Sequence, residues 1–102
     1  MPTKITIIYD NPVDPDAFEA GWPESLELAK ALPGLERLES GKVWPKEDGT
    51  ATPKYRTLDL YFADYDAASA AVAGPEAGAF FPTVFGLGEA GVTALFTDVE
   101  PA

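Results

Sequence analysis

The sequence predicts an α+β sandwich of order β-α-β-β-α-β, with one four-stranded antiparallel sheet carrying both helices on one face. Three observations carry that prediction. Strand-like runs open and close the chain, KITIIYD and VTALFTDV, and a strand pair flanks an Asp48-Gly49 turn in the middle. Stretches with helical periodicity and acidic caps separate the opening strand from the pair and the pair from the closing strand. The connections are short, so residues 1–102 are expected to form a single domain.

Residues 4–10 are rich in β-branched and aromatic side chains and lead into Asn11-Pro12, which marks a strand and its end. The nearly continuous apolar run predicts a central strand covered on both faces. In NPVDPDAF, Asp14 suits an N-cap, Pro15 the first helical position and Asp16 the positive end of the helix dipole. This helix should run to about Leu32, before Pro33-Gly34. Pro23 cannot donate to the carbonyl of Glu19, which predicts a kink or two short helices meeting near Trp22. At about 100° per residue, Phe18, Trp22, Ser25, Ala29 and Leu32 share one inward stripe.

Leu35 to Trp44 reads as the second strand, with Gly41 a candidate bulge. PKEDGTATP is an exposed hairpin loop. Residues 54–63 alternate: Leu58, Leu60 and Phe62 take one face, and Tyr55, Thr57, Asp59 and Tyr61 the other. Asp64 caps an Ala-rich helix that ends at Gly74-Pro75. A further helical segment, about Glu76 to Phe85, places Ala77, Phe80, Phe81, Val84 and Phe85 at helical spacing, with Pro82 bending or restarting it. The whole is a ferredoxin-like sandwich. Its second sheet face has no helix to cover it and carries Tyr55, Thr57, Asp59 and Tyr61. A face that is part aromatic and part polar points to a homodimer with sheets packed face to face.

Composition narrows the chemistry. The chain holds no cysteine and no histidine. Thiolate nucleophiles, disulfides, histidine triads and imidazole metal ligation are therefore excluded. Acid–base work falls to Asp, Glu, Lys, Tyr or water. The net charge of −10 repels nucleic-acid phosphates and anionic membranes. The carboxylates are scattered, and no metal cage is expected. No apolar run reaches the roughly 18 residues of a membrane helix. The opening MPTKITIIYD is a poor signal peptide, so a cytoplasmic location is expected.

Several features in order resemble one family. They are "IIYDNPVDPDAF", Trp22 followed by "LAKALPGLERL", the hairpin strand "YRTLDLYFADYDAASAAV", and the closing "GPEAGAFFPTVFGLGEAGVTALFTDV". From about Lys4 to Val99 the chain is similar to the EthD-like proteins, within the superfamily of dimeric α+β barrels. That resemblance implies a homodimer whose two sheets form a barrel, and a small-molecule cavity between each sheet and its helices. The superfamily includes cofactor-independent monooxygenases of aromatics, haem-degrading enzymes and lactone isomerases. Family members commonly carry a histidine in the first helix. Counting back from Leu28 places Ser25 there; counting forward from Trp22 places Leu26 there. Chemistry that needs that imidazole does not transfer.

Ser25 is then either a small packing residue bonded back to the carbonyl of Gly21 or a hydrogen-bonding group for a ligand; a nucleophilic role lacks an activating base. Trp22, Trp44, Phe81 and Phe85 are candidates for lining an apolar pocket, although rings at helical spacing are more often core. Asp59 needs a partner, for which Arg37 or Lys42 is expected; unpaired, it would be a candidate general base. "GLGEAG" matches GxGxxG in the wrong context, after a helix and before a strand, and reads as a helix end and turn. The expected function is binding of a small apolar molecule without metal or cofactor. The alternative is cofactor-independent oxygenase or isomerase chemistry on a small aromatic or lactone.

Overall fold

Alternation in two strands sets the architecture of the computed structural model, which describes residues 1–102. In β1 (Thr3–Asp10) every second side chain is buried: Thr3, Ile5, Ile7 and Tyr9. In β3 (Lys54–Phe62) the same holds for Leu58, Leu60 and Phe62. Antiparallel pairing sets Ile5 against Leu60 and Ile7 against Leu58, so these side chains form one apolar layer. β2 (Arg37–Lys42) adds to the outer edge of β3, and β4 (Val92–Asp98) to the other edge of β1. The strand order is β2-β3-β1-β4.

α1 (Pro15–Lys30), α2 (Tyr65–Ala73) and α3 (Pro75–Leu87) supply the second layer. They lie on the Ile5–Leu60 side, where Phe18, Trp22, Ala29, Ala68, Ala71, Ala77, Phe80 and Val84 join the strand residues in a continuous core. The small Ala68 and Ala71 let α2 settle closely against β1 and β3. No helix is long and apolar enough to cross a membrane.

The β-α-β-β-α-β order stands, but the barrel does not. The sheet is open, with β2 and β4 as separate edges that do not meet. Four strands have too little span to close on themselves, and the core lies between one face of the sheet and the helices, not inside a closed sheet. β1 is central as expected, yet it is buried on one face only; Lys4, Thr6, Ile8 and Asp10 are half-exposed on the other. Its apolar continuity comes from Ile8 alone on that outer side.

Local expectations fared unequally. Asp14 and Asp64 cap α1 and α2 through the amides of Ala17 and Ala67. α1 runs unbroken through Pro23, which sits on the exposed side of the helix. It ends at Lys30, and Gly34 takes the left-handed φ of 80° that turns the chain towards β2. β2 is shorter than Leu35–Trp44, although the amide of Val43 still reaches the carbonyl of Tyr55 at 2.8 Å. The bulge is not at Gly41: the register slips between Tyr9 and Asp10, which face Arg56 and Lys54 and leave Tyr55 as the extra residue.

Candidate functional site

The helical stripe of α1 meets α3 along a seam of small side chains. Gly21 approaches Leu87 closely enough that an added Cβ would lie 3.0 Å from Leu87 Cδ2. One turn further along α1, Ser25 Oγ lies 3.3 Å from Thr83 Oγ1. Moving forward along α1 therefore means moving backward along α3, and the helices are antiparallel. Thr83 donates its hydroxyl proton to the carbonyl of Phe80 at 2.6 Å, which leaves Ser25 to donate towards Thr83 or elsewhere. Ser25 does not need the carbonyl of Gly21.

Beneath this seam lies Tyr9. Its ring is fully buried and is met edge-on by Phe18 at 5.2 Å and by Trp22 at 5.6 Å, while Phe18 and Trp22 stack on each other. The Tyr9 hydroxyl is sealed from solvent and has no hydrogen-bond partner. Burial pushes its pKa up to about 12, and the nearby Ser25 hydroxyl pulls weakly the other way. That contact falls short of hydrogen-bond geometry, so the phenol keeps a free proton to donate. At neutral pH it is a donor and not a base.

Where α1 begins and α3 ends, the helices part. A cleft of about 520 Å³ opens there between Val13, Asp14 and Ala17 on one side and Gly86, Leu87 and Ala90 on the other, with Phe18 also in its wall. Phe18 and Leu87 thus belong both to the cleft and to the packing around Tyr9 and Gly21. The cleft has the volume of ordinary small-molecule sites.

Arg56 closes the flank. It donates twice to Glu19, at 2.6 and 2.9 Å, and lays its guanidinium 4.9 Å from the Trp22 ring. The Arg56 hydrogen bonds hold the Glu19 carboxyl below the usual carboxylate range. Each charge is occupied by the other, and neither is free for a ligand.

The structure distributes the sequence-picked residues unevenly. Trp22 and Ser25 are buried in the seam. Phe81 is half-buried and touches Phe80, while Phe85 is 65% exposed on the outside of α3. Trp44 is 85% exposed in the hairpin, beside a shallow cleft of about 350 Å³ with Lys42, Val43 and Pro45. Tyr55, carried over by the bulge, packs edge-on against Phe18 at 5.1 Å, on the helix side. Thr57, Asp59 and Tyr61 stay on the uncovered face. Asp59 takes a 2.6 Å hydrogen bond from Thr6 and lies 3.7 Å from Lys4, so its cation comes from β1 and not from β2. Tyr61 donates to Glu39 at 2.6 Å, beneath Arg37.

Sequence reasoning missed Tyr9 and Thr83. Tyr9 was detectable: it shares the parity of Ile5 and Ile7, which sends its hydroxyl into the core. Thr83 gave no such signal, because its role depends on the helix–helix register.

This arrangement defines a ferredoxin-like α+β protein with a polar point inside an otherwise apolar helix seam. No family model matches the chain. An uncharacterised 11.0 kDa protein from the thcB-thcC intergenic region of Rhodococcus erythropolis is 34% identical over 98 residues, covering 95% of this chain and 94% of that one. The crystal structure of an EthD-family protein from Bacillus halodurans superposes with a TM-score of 0.90 at 19% identity, covering 98% of this chain and 100% of that one. A dimeric ferredoxin-like protein of unknown function from Jannaschia sp. gives a TM-score of 0.71 at 16% identity, with coverage of 97% and 100%. The chain belongs to one family with the uncharacterised Rhodococcus protein, and it shares its fold with the EthD-family structure.

Proposed function

We propose that this protein is a cytoplasmic homodimer that binds a small apolar molecule between α1 and α3. The cleft whose wall includes Phe18 carries the reading: it has a ligand's volume and joins the aromatic cluster directly. The uncovered sheet face supports the dimer, as does the dimeric state given for the Jannaschia protein of the same fold.

Gly86 provides the test. It lies in the cleft wall within α3, and a Cβ there meets nothing within 4 Å. Gly86→Phe should fold normally and fill the cleft. Ethylbenzene and acetophenone serve as probes, followed by saturation-transfer NMR. Both should bind the natural protein and lose binding to Gly86→Phe. Binding that is absent from the natural protein, or indifferent to Gly86→Phe, overturns the reading. Light scattering at micromolar concentration tests the dimer, and a monomer there removes it.

A further inference from the structure

The Tyr9 hydroxyl is the one buried side-chain polar atom without a partner. Native interiors seldom leave such an atom unpaired, and a ligand or water acceptor is the usual resolution. The surroundings say which acceptor fits. Ser25 and Thr83 add two more hydroxyls on the same seam, and the remaining neighbours are rings and aliphatic groups. Every group on the seam is uncharged. The nearest cation, Arg56, is held twice by Glu19. A carboxylate or an ammonium placed here would lose its hydration and gain no counter-charge.

Access follows from the helix register. Ala17 lines the cleft, Gly21 sits one turn deeper under Leu87, and Ser25 one turn deeper again. Two turns are about 11 Å. Leu87 stands between the cleft and the hydroxyls, and its partner across the seam has no side chain. For a ligand in the cleft to reach the hydroxyls, the Leu87 side chain must move to another rotamer.

We propose that Tyr9 and Ser25 form a polar subsite behind Leu87 that receives the carbonyl oxygen of an uncharged, otherwise apolar ligand, a ketone or ester, with Tyr9 donating the principal hydrogen bond. This rests on the small-molecule reading of the cleft. It adds to that reading the ligand's chemical class and the residue that selects it.

The test compares three probes of similar size: acetophenone, ethylbenzene and benzoate. Dissociation constants are measured by NMR titration on the natural protein and on Tyr9→Phe. The substitution keeps the ring and removes an unpaired hydroxyl, so folding is retained. The natural protein should bind acetophenone about tenfold or more tighter than ethylbenzene, and benzoate weakest. In Tyr9→Phe the acetophenone preference should collapse to within about twofold, with ethylbenzene unchanged. If Tyr9→Phe binds acetophenone as tightly as the natural protein, or if the natural protein does not distinguish the two, the subsite is overturned while the cleft stands. If neither probe binds the natural protein, both the subsite and the cleft reading fall.

Discussion

The two faces of the sheet are built from alternate residues of the same strands, yet they work by opposite rules. The helix-covered face presents Thr3, Ile5, Ile7, Tyr9, Leu58, Leu60 and Phe62, each at most 1% exposed. The outer face presents Lys4, Thr6, Asp59 and Tyr61, joined with Arg37 and Glu39 by hydrogen bonds, ion pairs and ring contacts. The covered face stabilises by removing apolar surface from water, and each side chain there matters. The outer face stabilises little, because half-exposed polar pairs replace water contacts of similar strength. The contrast also locates the exception. On the wet face the polar groups find partners, and on the dry face Tyr9 does not.

The sharpest way to break this comparison uses neighbours in β3. Leu60→Ala deletes a fully buried side chain paired across to Ile5. It should cost about 2–5 kcal/mol in urea unfolding. A loss under about 1 kcal/mol would mean that the covered face does not hold the fold.

Tyr9 supplies the next effect. Its pKa is about 12 in the folded protein against 10.0 for the free group. Between those values the unfolded chain releases the proton and the folded one keeps it. Folding stability is therefore insensitive to this ionisation below pH 10 and falls as pH rises towards 12, by on the order of 2 kcal/mol at the upper end. Tyr61, also raised by its bond to Glu39, contributes to the same slope. The difference between natural and Tyr9→Phe curves isolates Tyr9. At neutral pH Tyr9→Phe should be neutral or up to about 1 kcal/mol more stable, since it removes an unpaired buried donor. A clear loss of stability at neutral pH would show that the hydroxyl is bonded after all.

Glu19→Gln is expected to be milder, about 0.5–1.5 kcal/mol, because the carboxylate is over a third exposed although Arg56 is mostly covered. The pH dependence has the opposite direction to that of Tyr9. Arg56 lowers the folded pKa of Glu19, so its contribution is present above the ordinary glutamate range and is lost as pH falls through the lowered value. Acid unfolding of Glu19→Gln should lack that component. An acid limb identical to that of the natural protein would count against the clamp.

Much of the layered fold could be read in the sequence, and the reason is periodicity. Alternation in residues 54–63 assigns Leu58, Leu60 and Phe62 to the core, and helical spacing assigns Phe18, Trp22, Ser25 and Ala29. Caps are local, so Asp14 and Asp64 were visible as well. What failed was what depends on non-local registry. A single slipped residue at Tyr9/Asp10 carries Tyr55 towards Phe18, and no pattern within one strand reveals it. The barrel came from family likeness, while the edges β2 and β4 are separate in this chain. At the site, Trp22 and Ser25 were visible from their stripe. Trp44 and Phe85 stand out in the sequence only as rings, and ring chemistry alone does not say which side of a loop or helix faces inward.

The smallest expected effect sharpens the comparison most. Asp59 accepts from Thr6 and faces Lys4 on a half-exposed surface. Asp59→Asn keeps the shape and removes the charge, and in an isolated subunit it should change stability by less than about 1 kcal/mol. If a second copy covers this face, the same pair becomes desolvated, and an uncompensated Lys4 would then be costly. The effect of Asp59→Asn should accordingly grow with protein concentration, as should the melting temperature of the natural protein. A small, concentration-independent effect identifies the outer face as a wet surface in solution. A growing one shows that the two faces differ not in being buried or exposed, but in whether the chain covers them itself.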